Sequence, residues 1–276
     1  MTSPVVFIDS GIGGLPYCRD FLDKNPHEEV CYVADRQHFP LGPRKKEEIE
    51  TILISLTEKL LKFLMPKIIV LACNTATVSA LDLLRRRFPG ILFVGTVPAI
   101  KPAALATKTG IVGVLGTERT IEDPINYQIV KDVRNDCRIF AVAAPDLVEF
   151  VEHHIDTSSE TQKTEIVKKY INFFINEGAD TIVLGCTHFL HLLDIFKREA
   201  ALYGSVTIFE SLDGIVKRIE FLLDDNNGAL RAKNNHVPER RLYITGTCGE
   251  ASSGAEPSEA IWQKFSKDHN FIFYQL

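Results

Sequence analysis

Two cysteines in this sequence occupy similar positions and could carry out acid–base chemistry. Cys73 ends the stretch IIVLAC and Cys186 ends the stretch TIVLGC, so each follows a short apolar run typical of a buried strand. A thiol near neutral pH can act as a base when it is ionised and as an acid when it is not. Two thiols on opposite faces of a carbon acid could therefore remove a proton from one face and deliver one to the other, which inverts a stereocentre.

Polar residues near the two cysteines could assist such a proton transfer. Asp9 follows the first apolar run, which we expect to form the strand next to that of Cys73, and His188 follows Cys186 by two residues. Either side chain could tune the protonation of its own thiol. Hydroxyl, amide and backbone donors suited to the carboxylates of an amino acid occur at Ser10, Asn74, Thr75, Thr117 and Thr187.

Each of these residues also has a structural interpretation. A cysteine after a strand is often a buried apolar group, Asp9 could cap the helix after its glycine turn, and His188 could cap a helix without chemistry. From the residues alone, Glu152 is expected to be a solvated carboxylate, beside an exposed histidine pair at 153–154. The occurrence of two cysteines at equivalent turns favours the chemical interpretation.

The surrounding sequence predicts an α/β fold with two similar lobes. Strand patterns alternate with amphipathic helix patterns, which indicates mostly parallel sheets flanked by helices, with ligands at the carboxyl ends of the strands. The first hydroxyl and its cysteine are 63 residues apart (73 − 10), and the second pair is 69 apart (186 − 117). This near match predicts a pseudo-duplicated chain with the active site in the cleft between the lobes. We expect the lobes to comprise residues 1–97 plus 209–276 and residues 98–208.

The pattern also predicts elements beyond the second cysteine. A helix is expected directly after Cys186, to about Leu202. A further helix is expected to end near Leu223, before a surface segment of residues 224–240 that is rich in asparagine and charge.

Composition excludes several classes of protein. The 276 residues carry a net charge of −5, which argues against nucleic acid as a partner, and no apolar run is long enough to span a membrane. The N-terminal residues lack the features of a signal peptide, so a cytoplasmic protein is expected.

The six cysteines contain no CxxC pair, which argues against a structural metal site or a disulfide framework. No nucleotide fingerprint is present and nothing indicates another cofactor, so we expect none.

Five motifs in this order resemble those of the glutamate racemases, in the cofactor-independent aspartate/glutamate racemase superfamily. They are DSGIGG at 9–14, YVADRQHFPLG at 32–42, CNTAT at 73–77, GVLGT at 113–117 and GCTHF at 185–189. The resemblance implies an isomerase that interconverts L- and D-glutamate in the cytoplasm and supplies D-glutamate for bacterial peptidoglycan, and thus for cell wall biogenesis and cell shape. A homodimer is left open.

The resemblance also implies a role for individual residues. Cys73 and Cys186 would be the two opposed bases, assisted by Asp9 and His188, respectively. The acidic residues of the family map onto Asp35 and, more loosely, onto Glu152, behind the substrate contacts. The contacts themselves carry over to Ser10, Leu41, Gly42, Asn74, Thr75, Thr117 and Thr187.

The sequence departs from the family pattern at three places. Leu41 stands where the family usually has tyrosine, Leu190 where it has proline, and Glu210–Leu212 where it has Asp-Ser-Ala. Because neither cysteine is lost, these changes bear on the choice of substrate more than on the reaction. An aspartate or hydantoin racemase, a maleate-type isomerase and a catalytically silent amino-acid-binding protein are the alternatives.

Overall fold

The computed structural model describes residues 3–204, 206–228, 230–232, 237–246 and 259–276. Its strands are β1 (Val5–Asp9), β2 (Val30–Ala34), β3 (Ile68–Leu71), β4 (Leu92–Gly95), β5 (Ile111–Gly116), β6 (Arg138–Ala143), β7 (Thr181–Leu184), β8 (Thr207–Phe209), β9 (Arg240–Ile244) and β10 (Ile272–Gln275). Every strand pairing is parallel among the described residues.

Helices alternate with these strands along the chain. They are α1 (Leu15–Lys24), α2 (Lys46–Phe63), α3 (Asn74–Arg87), α4 (Ile100–Ala106), α5 (Glu118–Glu122), α6 (Pro124–Val133), α7 (Pro145–His154), α8 (Glu160–Asn176), α9 (Leu193–Ala201), α10 (Leu212–Gly228) and α11 (Glu259–His269). Two 3₁₀ helices span Arg36–His38 and Thr187–Leu192. The alternation confirms the predicted α/β class.

The chain forms two compact units with the same central strand order. The first unit comprises Met1–Thr96 and Leu212–Leu276, and the second comprises Val97–Ser211. The sheet of the first unit has the order β10-β9-β2-β1-β3-β4, and that of the second has the order β6-β5-β7-β8. The strands β2-β1-β3-β4 therefore correspond one for one to β6-β5-β7-β8. This correspondence confirms that the fold is duplicated, whereas β9 and β10 extend the first sheet alone.

The central strands are apolar because helices cover both faces of a parallel sheet. Every residue of β1, β2, β3 and β7 is buried, so these strands show continuous apolar runs and no alternation with polar residues. In the first unit, α2 packs on α3 and contributes Ile49, Leu53 and Leu60 to the core. The carboxyl ends of these strands are consequently held in fixed positions by the core.

Two predicted helices differ from the observed ones. The helix expected directly after Cys186 begins with the 3₁₀ helix Thr187–Leu192, and α9 follows it. The tighter winding accompanies burial of the first four side chains of this turn, 187–190, as they pack around the end of β7. The helix expected to end near Leu223 continues to Gly228, and Arg231 then forms a bidentate ion pair with Asp224. Residues 229 and 233–236 of the expected surface segment lie outside the described residues.

The turn between β1 and α1 depends on the absence of a side chain at Gly14. A Cβ atom built there would lie 2.7 Å from the Cβ of Ala72 and 2.9 Å from the hydroxyl oxygen of Tyr32. The Tyr32 hydroxyl also donates a 2.8 Å hydrogen bond to the carbonyl of Gly11, so it cannot easily move. Close packing therefore fixes this turn against the residue that precedes Cys73.

We expect Gly14→Ala to lower the free energy of unfolding by about 1 to 3 kcal/mol because the added methyl group overlaps packed atoms. The measurement is the midpoint of urea denaturation of the whole protein. Gly90→Ala is the matched control, because no atom lies within 4 Å of a Cβ at that position. Equal midpoints for the two variants would contradict the packing argument.

Candidate active site

Cys73 lies at the junction of β3 and α3, as the sequence predicts. It is the N-terminal capping residue of α3, with φ −144° and ψ 121°, and its backbone is extended. Its side chain is 8% exposed. The backbone amides at the start of this 14-residue helix carry partial positive charge, which favours a thiolate. The position thus suits a cysteine that must ionise.

Cys186 occupies the equivalent junction after β7. It caps the 3₁₀ helix Thr187–Leu192 with φ −136° and ψ 137°, nearly the same backbone conformation as Cys73. Its side chain is 6% exposed. Neither cysteine is in a disulfide bond. Each unit of the fold therefore places a cysteine at the carboxyl end of the equivalent strand, in nearly the same backbone conformation.

The other described cysteines are in settings that suppress ionisation. Burial raises the pKa of Cys31 to about 12 and also raises the pKa values of Cys18 and Cys137 above their usual value. These thiols stay protonated near neutral pH, which suits buried apolar packing and not acid–base chemistry. Cys248 lies outside the described residues.

Asp9 lies at the carboxyl end of the strand next to that of Cys73. β1 pairs with β3 in parallel register, with Ile8 opposite Leu71, which confirms the expected adjacency. The amide of Ala72 donates a 2.8 Å hydrogen bond to the carbonyl of Ile8. The Asp9 carboxylate is buried and accepts a 2.6 Å hydrogen bond from the amide of Ser10. A buried carboxyl group is thus held at the strand end beside the one that leads to Cys73.

His188 links Cys186 to a buried carboxylate. Its Nδ1 lies 3.8 Å from the Cys186 sulfur, and its Nε2 lies 2.8 Å from Oε2 of Glu152. Burial alone would lower the pKa of His188, but hydrogen bonds to Cys186 and Glu152 outweigh that effect and raise the pKa well above its usual value. An imidazolium has a proton on each nitrogen, so His188 can donate to the carboxylate and to a Cys186 thiolate at once.

The expectation that Glu152 is solvated was wrong, because its side chain is fully buried. Helix α7 packs on the 3₁₀ helix that carries His188, and position 152 is on the packed face. Next in the chain, His153 is half-buried and only His154 is exposed. A buried carboxylate is stable here because it is paired with a protonated imidazole. The sequence-based expectation missed this pairing, since 36 residues separate the two side chains.

We expect Glu152→Gln to lower the pKa of His188, because the change removes a negative charge without altering the side-chain shape. In the parent protein the raised pKa contributes stability that is present below about pH 6.5, the usual histidine value, and is lost as pH rises through the folded pKa. The variant should lose part of that stability in acid.

The measurement is the imidazole titration of His188 by NMR, together with denaturation at several pH values. Glu149→Gln is the matched control, since Glu149 is an exposed glutamate on the same helix. An unchanged His188 titration in Glu152→Gln would contradict the assigned ion pair.

The candidate substrate contacts lie at strand ends in both units. In the first unit, Ser10 follows β1, and Asn74 and Thr75 form the first turn of α3; all three are buried. In the second unit, β5 pairs with β7, so the residues that follow the two strands are neighbours. Thr117 caps α5 and its hydroxyl lies 3.0 Å from that of Thr120, whereas Thr187 is buried in the 3₁₀ turn.

The loop after β2 carries the remaining candidates. Leu41 is buried and Gly42 is half-buried. Asp35, at the start of this loop, is also buried; its Oδ2 lies 2.8 Å from Nδ1 of His38, and its Oδ1 accepts a 2.5 Å hydrogen bond from the hydroxyl of Thr245. Asp35 is therefore placed to organise the loop. Sequence reasoning missed Thr245, because the pairing of β9 with β2 that brings it there has no local signal.

Two other features concern metals and membranes. Across the described ranges, no cluster of three or more His, Cys, Asp or Glu side chains is arranged to hold a metal ion. Within the same residues, no helix has the length and apolar character required to cross a bilayer.

Fold and site geometry agree with a racemase of the Asp/Glu type, and sequence comparison gives the same class. Residues 21–219 match the family described as Asp/Glu/Hydantoin racemase. The chain belongs to this family, which confirms the expected enzyme class, an isomerase. The match includes both cysteines, His188 and Glu152, whereas Asp9 and Ser10 precede it.

Within this family, the individual relatives described below are glutamate racemases. Glutamate racemase from Herpetosiphon aurantiacus is 42% identical over 223 residues, which cover 80% of this chain and 84% of that protein. Glutamate racemase from Roseiflexus is 34% identical over 247 residues, which cover 86% of this chain and 89% of that protein. The family resemblance seen in the motifs is thereby confirmed over most of the chain.

Solved structures show the same relationship. Escherichia coli glutamate racemase, in complex with L-glutamate and activator UDP-MurNAc-ala, has a TM-score of 0.81 and 26% identity, with 99% of this chain and 97% of that chain covered. The RacE1 isoform of glutamate racemase from Bacillus anthracis has a TM-score of 0.77 and 26% identity, with 99% and 96% covered. The two-unit fold is therefore that of glutamate racemases.

Proposed function

We propose that this protein is a glutamate racemase that interconverts L- and D-glutamate without a cofactor. The observation that carries the proposal is the presence of two buried thiols, Cys73 and Cys186, in one backbone conformation at equivalent strand ends. Each is associated with a buried acid–base group, Asp9 or His188. The identity to glutamate racemases over most of the chain supports glutamate as the substrate.

The proposed reaction consists of two proton transfers at the α-carbon. One cysteine enters as a thiolate and takes the α-proton, and the electron pair of the broken C–H bond stays on the carbon as a carbanion. The other cysteine enters as a thiol and delivers its proton to the opposite face. The product is the other enantiomer, and the two thiols have exchanged protonation states. The same site then catalyses the reverse reaction.

The groups beside the two cysteines allow each cysteine to alternate between a thiolate and a protonated thiol. His188, held protonated by Glu152, stabilises a Cys186 thiolate and can return a proton to it. Asp9 is proposed to serve Cys73 in the same way from the adjacent strand. The amides and hydroxyls of Ser10, Asn74, Thr75, Thr117 and Thr187, with the loop at Leu41 and Gly42, are proposed to bind the substrate carboxylates.

The biological setting follows from the proposed reaction. The enzyme would supply D-glutamate for peptidoglycan, and it would act in the cytoplasm, where that precursor is made. A homodimer is a further proposal, and gel filtration with light scattering tests it. A role for nucleic acid or membrane is not proposed.

The test is incubation of the purified protein with L- or D-glutamate in deuterated water without added cofactor. Circular dichroism follows the change of configuration, and NMR follows the replacement of the α-proton by deuterium. The proposal requires racemisation from both enantiomers with deuterium in the product. A parallel series with aspartate, a hydantoin and maleate identifies another reaction of the superfamily if glutamate is left unchanged. Binding of glutamate without loss of its α-proton would contradict the proposal and indicate a silent binding protein.

A further inference from the structure

Thr245 lies at the carboxyl end of β9, next to the strand that leads into the loop 36–42. β9 pairs with β2 in parallel, with Ile244 opposite Ala34, and the amide of Thr245 donates a 3.0 Å hydrogen bond to the carbonyl of Ala34. Its side chain is buried. The ladder therefore fixes Thr245 beside Asp35, which is the first residue after β2.

The Thr245 hydroxyl group makes two hydrogen bonds to this loop. It donates to Oδ1 of Asp35 at 2.5 Å, and it accepts from the amide of Gln37 at 3.2 Å. The other carboxylate oxygen of Asp35 lies 2.8 Å from Nδ1 of His38. One hydroxyl group thus joins β9 both to the backbone and to the acidic side chain that begins the 3₁₀ helix Arg36–His38. We call Thr245, Asp35 and His38 the loop clamp.

The clamp continues into the candidate substrate-binding loop. The backbone carbonyl of His38 accepts a 2.9 Å hydrogen bond from Nε of Arg44, and the carbonyl of Leu41 accepts a 3.1 Å hydrogen bond from the amide of Arg44. Leu41 and Gly42 therefore lie between two positions that are fixed by hydrogen bonds, the loop clamp on one side and Arg44 on the other.

The residue after Thr245 shows how closely the end of β9 approaches the loop 36–42. Gly246 has φ +83°, and a Cβ built on it would lie 3.4 Å from the amide nitrogen of Gln37. A side chain there would be strained by the positive φ, and its Cβ would be in van der Waals contact with the loop. The end of β9 is thus built to approach the loop backbone.

We propose that Thr245 is a positioning residue that, through Asp35, holds the loop 36–42 in its substrate-binding form. The inference rests on the proposed function for the role of Leu41 and Gly42 as contacts to a substrate carboxylate. Because such a loop binds substrate and transition state alike, loosening it weakens substrate binding and leaves the proton-transfer step nearly unchanged. Thr245 does not itself touch the reacting atoms.

Two substitutions isolate the hydroxyl group. Thr245→Val keeps the shape and removes both hydrogen bonds, and we expect KM for glutamate to rise about tenfold while kcat changes less than about twofold. Thr245→Ser restores the hydroxyl, and we expect KM to stay within about twofold of the parent value. Thr51→Val is the matched control, because its hydroxyl bonds only its own helix at the carbonyl of Glu47, across a cavity of about 210 Å³ that Thr245 and Asp35 also line.

Amide hydrogen exchange of the free protein tests the clamp without any substrate. We expect faster exchange at Gln37, His38 and Phe39 in Thr245→Val than in the parent, Thr245→Ser and Thr51→Val proteins. If Thr245→Val does not fold, His38→Ala removes the other link to Asp35 from a partly exposed position and should give the same changes in exchange and KM.

The outcomes separate the clamp from the proposed function. Unchanged exchange and unchanged KM in Thr245→Val would overturn the clamp, as would an equal loss of kcat in Thr245→Val and Thr245→Ser. If the parent protein does not racemise glutamate, the proposed function fails, but faster exchange in Thr245→Val would still establish that Thr245 orders the loop.

Discussion

Replacement of Cys73 or Cys186 by alanine will abolish racemisation while the fold is retained. Each thiol is required once per turnover, as a base for one enantiomer and as an acid for the other. A positioned acid or base contributes about 10²- to 10⁴-fold, so we expect a fall in kcat of at least about 10³-fold from either change. Cys→Ser should be nearly as damaging, because a hydroxyl group is a far weaker acid than a thiol.

The single variants also allow a sharper measurement than loss of activity. A protein with one remaining thiol can still remove and return a proton on one face, which exchanges the α-proton of one enantiomer without inverting it. In deuterated water, Cys73→Ala and Cys186→Ala should therefore differ in which enantiomer they label. Cys137→Ala is the control, since Cys137 is buried and its thiol contacts the carbonyl of Ala104. Full activity in either active-site variant would exclude the two-base mechanism.

We expect His188→Asn to lower kcat by about 10²-fold, because it removes the group that couples Cys186 to a buried carboxylate. Asparagine keeps a polar side chain but cannot carry a proton. The measurements are kcat with each enantiomer and the rate of reaction of the Cys186 thiol with an alkylating reagent as a function of pH. The thiolate loses a cationic neighbour, so alkylation of Cys186 near neutral pH should be slower than in the parent protein.

His154→Asn provides the comparison for that experiment, because His154 is exposed at the end of α7. Its activity and alkylation profile should match those of the parent. A parent-like alkylation profile in His188→Asn, with loss of activity alone, would indicate that His188 contacts substrate and does not control the thiol.

Much of the fold could be predicted because its strands and helices have clear local patterns. The strands β3 and β7 lie directly before Cys73 and Cys186, and helices alternate with the strands, as expected from the sequence. Their apolar runs are continuous in the strands and recur at helical spacing in the helices, which is what burial on a parallel sheet requires. The position of both cysteines followed from the same patterns.

Contacts between distant segments could not be predicted in this way. The pairing of Glu152 with His188 depends on how α7 packs on a 3₁₀ helix, and that of Thr245 with Asp35 depends on the pairing of β9 with β2. The 3₁₀ form of Thr187–Leu192 also results from packing, since its sequence is compatible with an α-helix. These features are set by tertiary structure, which leaves no periodic signal in one sequence.

The unequal neighbours of the two thiols within a duplicated strand order have a kinetic consequence. L- and D-glutamate have equal free energies in water, so the two values of kcat/KM must be equal whatever the protein provides. The Cys186 half holds a histidine and a carboxylate, whereas Asp9, a carboxylate, lies at the end of the strand beside that of Cys73. The difference between the two halves can therefore appear only in the individual values of kcat and KM. We infer that the enantiomer with the larger kcat also has the proportionally larger KM, so that neither direction is favoured when substrate is scarce.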